Sequence, residues 1–67
     1  MDYRDTDLYR NMTPFQTIEI IELNDDSSDD EILTAFQWLH DTGDAYRLQG
    51  FYGSTATNLI ERGLIQK

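Results

Sequence analysis

The chain has 67 residues, with 13 acidic side chains against 5 Lys and Arg, one His and no Cys, for a formal net charge of -8. A chain this short is one domain at most, and a domain of roughly 60 residues buries only about 60% of the surface its unfolded state exposes, so complex formation or a homo-oligomer is an expectation from size alone. The absence of cysteine removes disulfides, thiolate nucleophiles and Cys-based metal sites, and no stretch approaches the roughly 20 apolar residues of a membrane span.

Met1-Asp2-Tyr3-Arg4-Asp5 has neither the basic region nor the apolar run of a signal peptide, which leads us to expect a soluble, non-secreted protein. Residues 1–12 mix Asp, Arg and Tyr without a sustained period and read as a loosely ordered acidic arm unable to build a core face. A single helical domain is expected from 13 to 67. Thr13-Pro14 supplies a hydroxyl cap and a proline suited to the first helical position. The segment 15–23 is compatible with either regular structure. Phe15, Ile18 and Ile21 share a helix face, Ile18 and Ile20 would suit a strand, and the proline start with the Glu19/Glu22 spacing favours helix.

Asn24-Asp25-Asp26-Ser27-Ser28 is a turn by composition. Ser28 and Glu31 then have the spacing of a capping box, with Asp29 and Asp30 beside the positive end of the helix dipole. Ile32, Phe36 and Leu39 recur at i, i+4, i+7, with Leu33, Ala35 and Trp38 widening the stripe, and Gly43 stops the helix. From Asp44 a second start carries Ala45, Tyr46, Leu48 and Phe51. One of Gly50 and Gly53 is expected to allow close backbone approach and the other to mark a turn. Ser54 or Thr55 caps the last helix in this reading, Ala56, Leu59 and Ile60 form its buried stripe, Gly63 ends it, and Leu64-Ile65 fold back over the core. The sum is an all-α, three-helix bundle.

Enzyme chemistry finds little support in these residues. His40 and Asp41 are neighbours that point about 100° apart on a helix, and no nucleophile elbow, phosphate loop or H-E-x-x-H occurs. A calcium loop begun at Asp25 would want glycine sixth and glutamate twelfth, where this chain has Asp30 and Phe36. No catalytic residue, metal or cofactor is therefore expected.

Charge is more informative. No Lys or Arg lies between Asn11 and Tyr46, whereas Glu19, Glu22, Asp25, Asp26, Asp29 and Asp30 all do. Direct nucleic-acid binding is opposed by this balance, because phosphate contacts need cations. The run can meet a basic partner surface, including one that normally holds nucleic acid, or it can serve only solubility and helix starts. Trp38, Tyr46, Phe51 and Tyr52 form an aromatic cluster beside Arg47. Such residues anchor protein interfaces when exposed, and they close a core when buried.

The stretch from Phe36-Gln37-Trp38-Leu39-His40-Asp41-Thr42-Gly43 through Gly50-Phe51-Tyr52-Gly53-Ser54-Thr55-Ala56 to Gly63 resembles a group of very short uncharacterised tailed-bacteriophage proteins with the pattern F-Q-x-L-x-D-T-G-x-A-W-x-L-Q-G-x-Y-G-R-T-A-x-x-L-I-x-x-G. The resemblance implies a phage protein acting in the host cytoplasm on a host or phage protein. Tyr46 stands where the pattern has tryptophan, and Ser54 where it has arginine. Phe51-Tyr52-Gly53-Ser54-Thr55-Ala56 is also similar to part of a small acidic phage inhibitor of uracil-DNA glycosylase, which implies DNA mimicry as a second mode of action.

Overall fold

A computed structural model describes residues 2–48 and 50–67. Helix α1 (Asp7–Arg10) follows a 3₁₀ turn at Tyr3–Asp5, and α2 (Pro14–Ile18) continues as a π-helical turn over Glu19–Leu23. The central helix α3 (Asp29–Thr42) is joined by a 3₁₀ turn at Asp44–Tyr46 to α4 (Gly50–Glu61). No strand occurs among the described residues, and α2 with its π turn, α3 and α4 make the expected small helical bundle.

Local chemistry places most boundaries. Thr13 caps α2 through its hydroxyl, which accepts from the Gln16 amide at 3.1 Å, with Pro14 in the first turn. Ser28 and Glu31 form the reciprocal capping box, at 3.1 Å to the Glu31 amide and 2.9 Å from the Ser28 amide. Gly43, at φ +83°, closes α3. Gly53 is the glycine that faces a neighbouring element: a Cβ there would lie 3.4 Å from the Ala45 carbonyl oxygen and 3.5 Å from the Tyr46 ring, which is ordinary contact. At this point α4 lies against the 3₁₀ turn. Gly50 faces open space and begins α4, so Ser54 and Thr55 lie inside that helix and do not cap it.

Two further expectations need correction. The buried face of α2 and its π turn is Thr17 and Ile20, while Phe15 is 67% exposed. Thr17 can be buried because its hydroxyl donates to the Pro14 carbonyl at 2.7 Å, leaving no unsatisfied polar group. The N-terminal segment is also not a loose arm. Thr6 caps α1, Met12 is buried, and Leu8 packs against the cluster of Met12, Ile20 and Ala35. With this segment folded in, the radius of gyration is 10.6 Å, against about 11 Å expected for a compact chain of this length. The exposed area is 4337 Å², close to the roughly 4,400 Å² of a folded monomer of this mass.

Phe36, Leu39, Ala45, Tyr52, Ala56 and Ile65 form the main core cluster, and half-buried Trp38 packs against both clusters. The buried positions of α3 run through Thr34, Ala35, Phe36, Gln37 and Leu39, which makes it the helix around which the others assemble.

Candidate functional site

The most connected polar group of the molecule is the Asp41 carboxylate near the end of α3. Arg4 donates to it twice, from Nε to Oδ2 and from Nη2 to Oδ1, each at 2.7 Å. The Tyr9 hydroxyl donates to Oδ2 at 2.6 Å, and the Gln37 amide to Oδ1 at 3.1 Å. Burial alone would raise the carboxyl's pKa, but these donors outweigh it and hold Asp41 below the ordinary aspartate range. Burial and the hydrogen bond to Asp41 push the Tyr9 phenol up to about 12.

Gln37 extends the network to the other terminus. Its side chain is fully buried, donates to the Gln66 carbonyl at 3.0 Å and accepts from the Gln66 amide at 2.6 Å. One carboxylate and one carboxamide thus join the N-terminal segment, α3 and the C-terminal tail. With its acceptor sites filled, Asp41 is a structural anion and is not placed to act as a base. His40 is engaged separately: its Nδ1 lies 2.6 Å from the Tyr46 hydroxyl, with the two rings edge to face.

The aromatic cluster divides. Tyr52 is buried, and its hydroxyl donates to the Glu22 carboxylate, linking α4 to the π turn. Burial, reinforced by Glu22, raises that phenol to about 12. Trp38 is a half-buried core bridge. These two residues therefore leave the set of surface anchors. Tyr46 is 52% and Phe51 54% exposed, and Arg47 and Leu48 between them are also exposed. The Phe51 ring still meets those of Phe36 and Tyr52 edge to face, at centroid distances of 6.4 and 5.1 Å.

The acidic residues Glu19, Glu22, Asp25, Asp26, Asp29 and Asp30 are all exposed, and none belongs to an ion pair among the described residues. Tyr3 donates to Asp30 at 3.3 Å. No group of three or more His, Asp or Glu suited to holding a metal occurs among the described residues.

Asp29 also edges an open apolar groove of about 300 Å³, whose other walls are Ile32, Leu33 and Leu64. Leu64, expected to fold over the core with Ile65, is 44% exposed, and of the two only Ile65 is buried. The cause lies in how α4 ends. Gly63 has φ +73°, its amide donates to the Ile60 carbonyl at 3.0 Å, and the Leu64 amide donates to the Leu59 carbonyl at 2.9 Å. This paired Schellman arrangement turns the chain back and sets Leu64 opposite the first turns of α3. The groove contains no nucleophile, histidine or cation, so its chemistry is that of apolar contact with one carboxylate at the edge.

No helix of the described residues is long and apolar enough to cross a membrane. No curated protein and no solved structure matches the chain. Residues 12–67 match a family profile described as Domain of unknown function (DUF7417), so the Arg4 and Tyr9 arms of the Asp41 network lie outside the matched span and Gln37, Asp41 and Gln66 lie within it. With that match extending over most of its length, the chain belongs to the DUF7417 family.

Proposed function

We propose that this chain is a small phage accessory protein that acts in the host cytoplasm by binding a host or phage protein and altering its activity, without catalysis of its own. The observation that carries this reading is a contrast between engaged polar groups and exposed apolar ones. Asp41, Gln37, His40 and Glu22 are all bonded within the chain, whereas Tyr46, Leu48 and Phe51 stand 52%, 38% and 54% exposed beside Arg47. Aromatic side chains with a neighbouring arginine are the residue types that dominate interface energetics. The phage assignment is supported by the likeness of residues 36–65 to the short phage pattern.

The test is recovery of partner from a host lysate by wild type and by a Tyr46→Ala, Phe51→Ala double variant. Recovery should fall about tenfold or more. Undiminished recovery by a variant with unchanged circular dichroism would refute this surface.

A second reading, DNA mimicry against a nucleic-acid-binding protein, is favoured by the exposure of Glu19, Glu22, Asp25, Asp26, Asp29 and Asp30 outside any ion pair. It requires competition with DNA for the partner and affinity that falls steeply with salt. Converting Asp25, Asp26, Asp29 and Asp30 to Asn should then abolish binding, and full retention would eliminate the idea.

A further inference from the structure

We infer that the groove between the start of α3 and the turned-back C-terminal tail, walled by Ile32, Leu33 and Leu64 and edged by Asp29, is a docking site for a basic amphipathic segment of a partner protein. The occupant inserts an aliphatic or aromatic side chain between the walls and brings a Lys or Arg to Asp29. This surface is distinct from the Tyr46–Phe51 surface and is carried by different observations.

The first observation is shape. The Schellman turn at Gly63 sets the backbone of Leu64 across from Ile32 and Leu33, so backbone hydrogen bonds fix the position of the tail wall. It is open and apolar, of a size to accept the side chain of one anchor residue. The second is charge. Of the carboxylates at the start of α3, Asp29 lines the groove itself, while Asp30 accepts from Tyr3 and Glu31 is held in the capping box; Asp25 and Asp26 precede them in the exposed turn. The tail bearing Leu64 carries Arg62 and Lys67, but neither lines the groove, so the charge at its edge is the Asp29 carboxylate within a chain of net charge -8. The capping box consumes Glu31, but Asp29 and the Asp25-Asp26 pair make no ion pair among the described residues.

Charge also selects between occupants. A second copy of this chain would bring a further net -8 to the same place, and like-charge repulsion opposes that pairing. An acidic or uncharged segment would gain the apolar contact alone. A basic amphipathic one gains both terms, with apolar burial supplying most of the affinity and the exposed carboxylates supplying steering and discrimination.

The experiment uses fluorescence anisotropy with a labelled amphipathic helical peptide built of Leu and Lys, a matched Leu and Glu peptide, and a scrambled Leu and Lys peptide of the same composition. The basic amphipathic peptide should bind, weaken as salt rises, and outcompete both controls. Leu64→Asp should weaken it roughly tenfold and Asp29→Asn roughly threefold, with circular dichroism unchanged. Asp29→Asn keeps the helix start, so it reports even if Leu64→Asp perturbs the tail. Equal binding of the scrambled peptide, or affinity unmoved by both variants, would overturn the inference. So would a wild-type dimer in sedimentation that Leu64→Asp dissolves, because a second copy would then be the occupant. Loss of peptide binding in the Tyr46→Ala, Phe51→Ala variant, with none in the groove variants, would reject the groove and leave the aromatic surface standing.

Discussion

The two ends of α3 carry the same kind of charge and use it in opposite ways. At the C-terminal end the helix dipole disfavours an anion, yet Asp41 sits there because Arg4, Tyr9 and Gln37 donate four hydrogen bonds to it, leaving its side chain 18% exposed. At the N-terminal end the dipole favours anions, and Asp29 and Asp30 remain exposed, with Asp30 taking a single bond from Tyr3 at 3.3 Å. The lesson is that a carboxylate placed against the dipole has to be secured from elsewhere in the chain, and doing so ties both termini together. One placed with the dipole is left available for contact with another molecule.

Substitutions at the two ends of α3 should differ in their cost. Asp41→Ala leaves Arg4, Tyr9 and Gln37 without their shared acceptor and should lower unfolding free energy by about 2–4 kcal/mol, read from urea denaturation. Arg4→Met removes the bidentate donor but leaves Tyr9 and Gln37, so a loss of about 1–2 kcal/mol is expected from the same measurement. Ser28→Ala, which deletes the cap at the other end, should cost about 1 kcal/mol. Asp29→Ala should change stability by only about 0.5 kcal/mol while reducing binding of a basic peptide. If Asp29→Ala matched Asp41→Ala in stability, the division between the ends would fail.

Acid sharpens the same contrast. The folded pKa of Asp41 lies below its unfolded value, so its contribution is fully present above the unfolded value of about 4 and is lost as pH falls through the folded pKa. Wild type should therefore lose stability relative to Asp41→Asn as pH is lowered from about 5 into the acid range, measured by urea midpoints across pH. Parallel pH profiles for the two proteins would contradict the assignment.

What the sequence revealed follows from the range of the forces involved. The Thr13-Pro14 start, the Ser28/Glu31 box and the Gly43 stop depend on bonds a few residues long, and the structure has each of them. The folded N-terminal segment was not legible because Arg4 and Tyr9 act on Asp41 across 37 and 32 residues. A signal was nonetheless present: Gln37 interrupts an apolar stripe, and a polar residue at a core position requires partners. The choice of Thr17 over Phe15 for burial was hidden because a threonine can satisfy its own hydroxyl within the helix. In the aromatic cluster, which the sequence leaves open between surface and core, Tyr46, Arg47 and Phe51 are exposed while Tyr52 is buried and Trp38 packs against the core, a division that period alone could not reveal. The groove was the least legible, since it depends on where a turn at Gly63 sends Leu64 relative to another helix.

The most direct test of the contrast between the two ends is a backbone amide NMR titration of the full chain with the Leu and Lys amphipathic peptide. Saturable shifts confined to Asp29, Ile32, Leu33 and Leu64 are expected, with the amides of Arg4, Tyr9 and Asp41 unmoved. Shifts centred on Arg4, Tyr9 and Asp41, with the start of α3 silent, would contradict it.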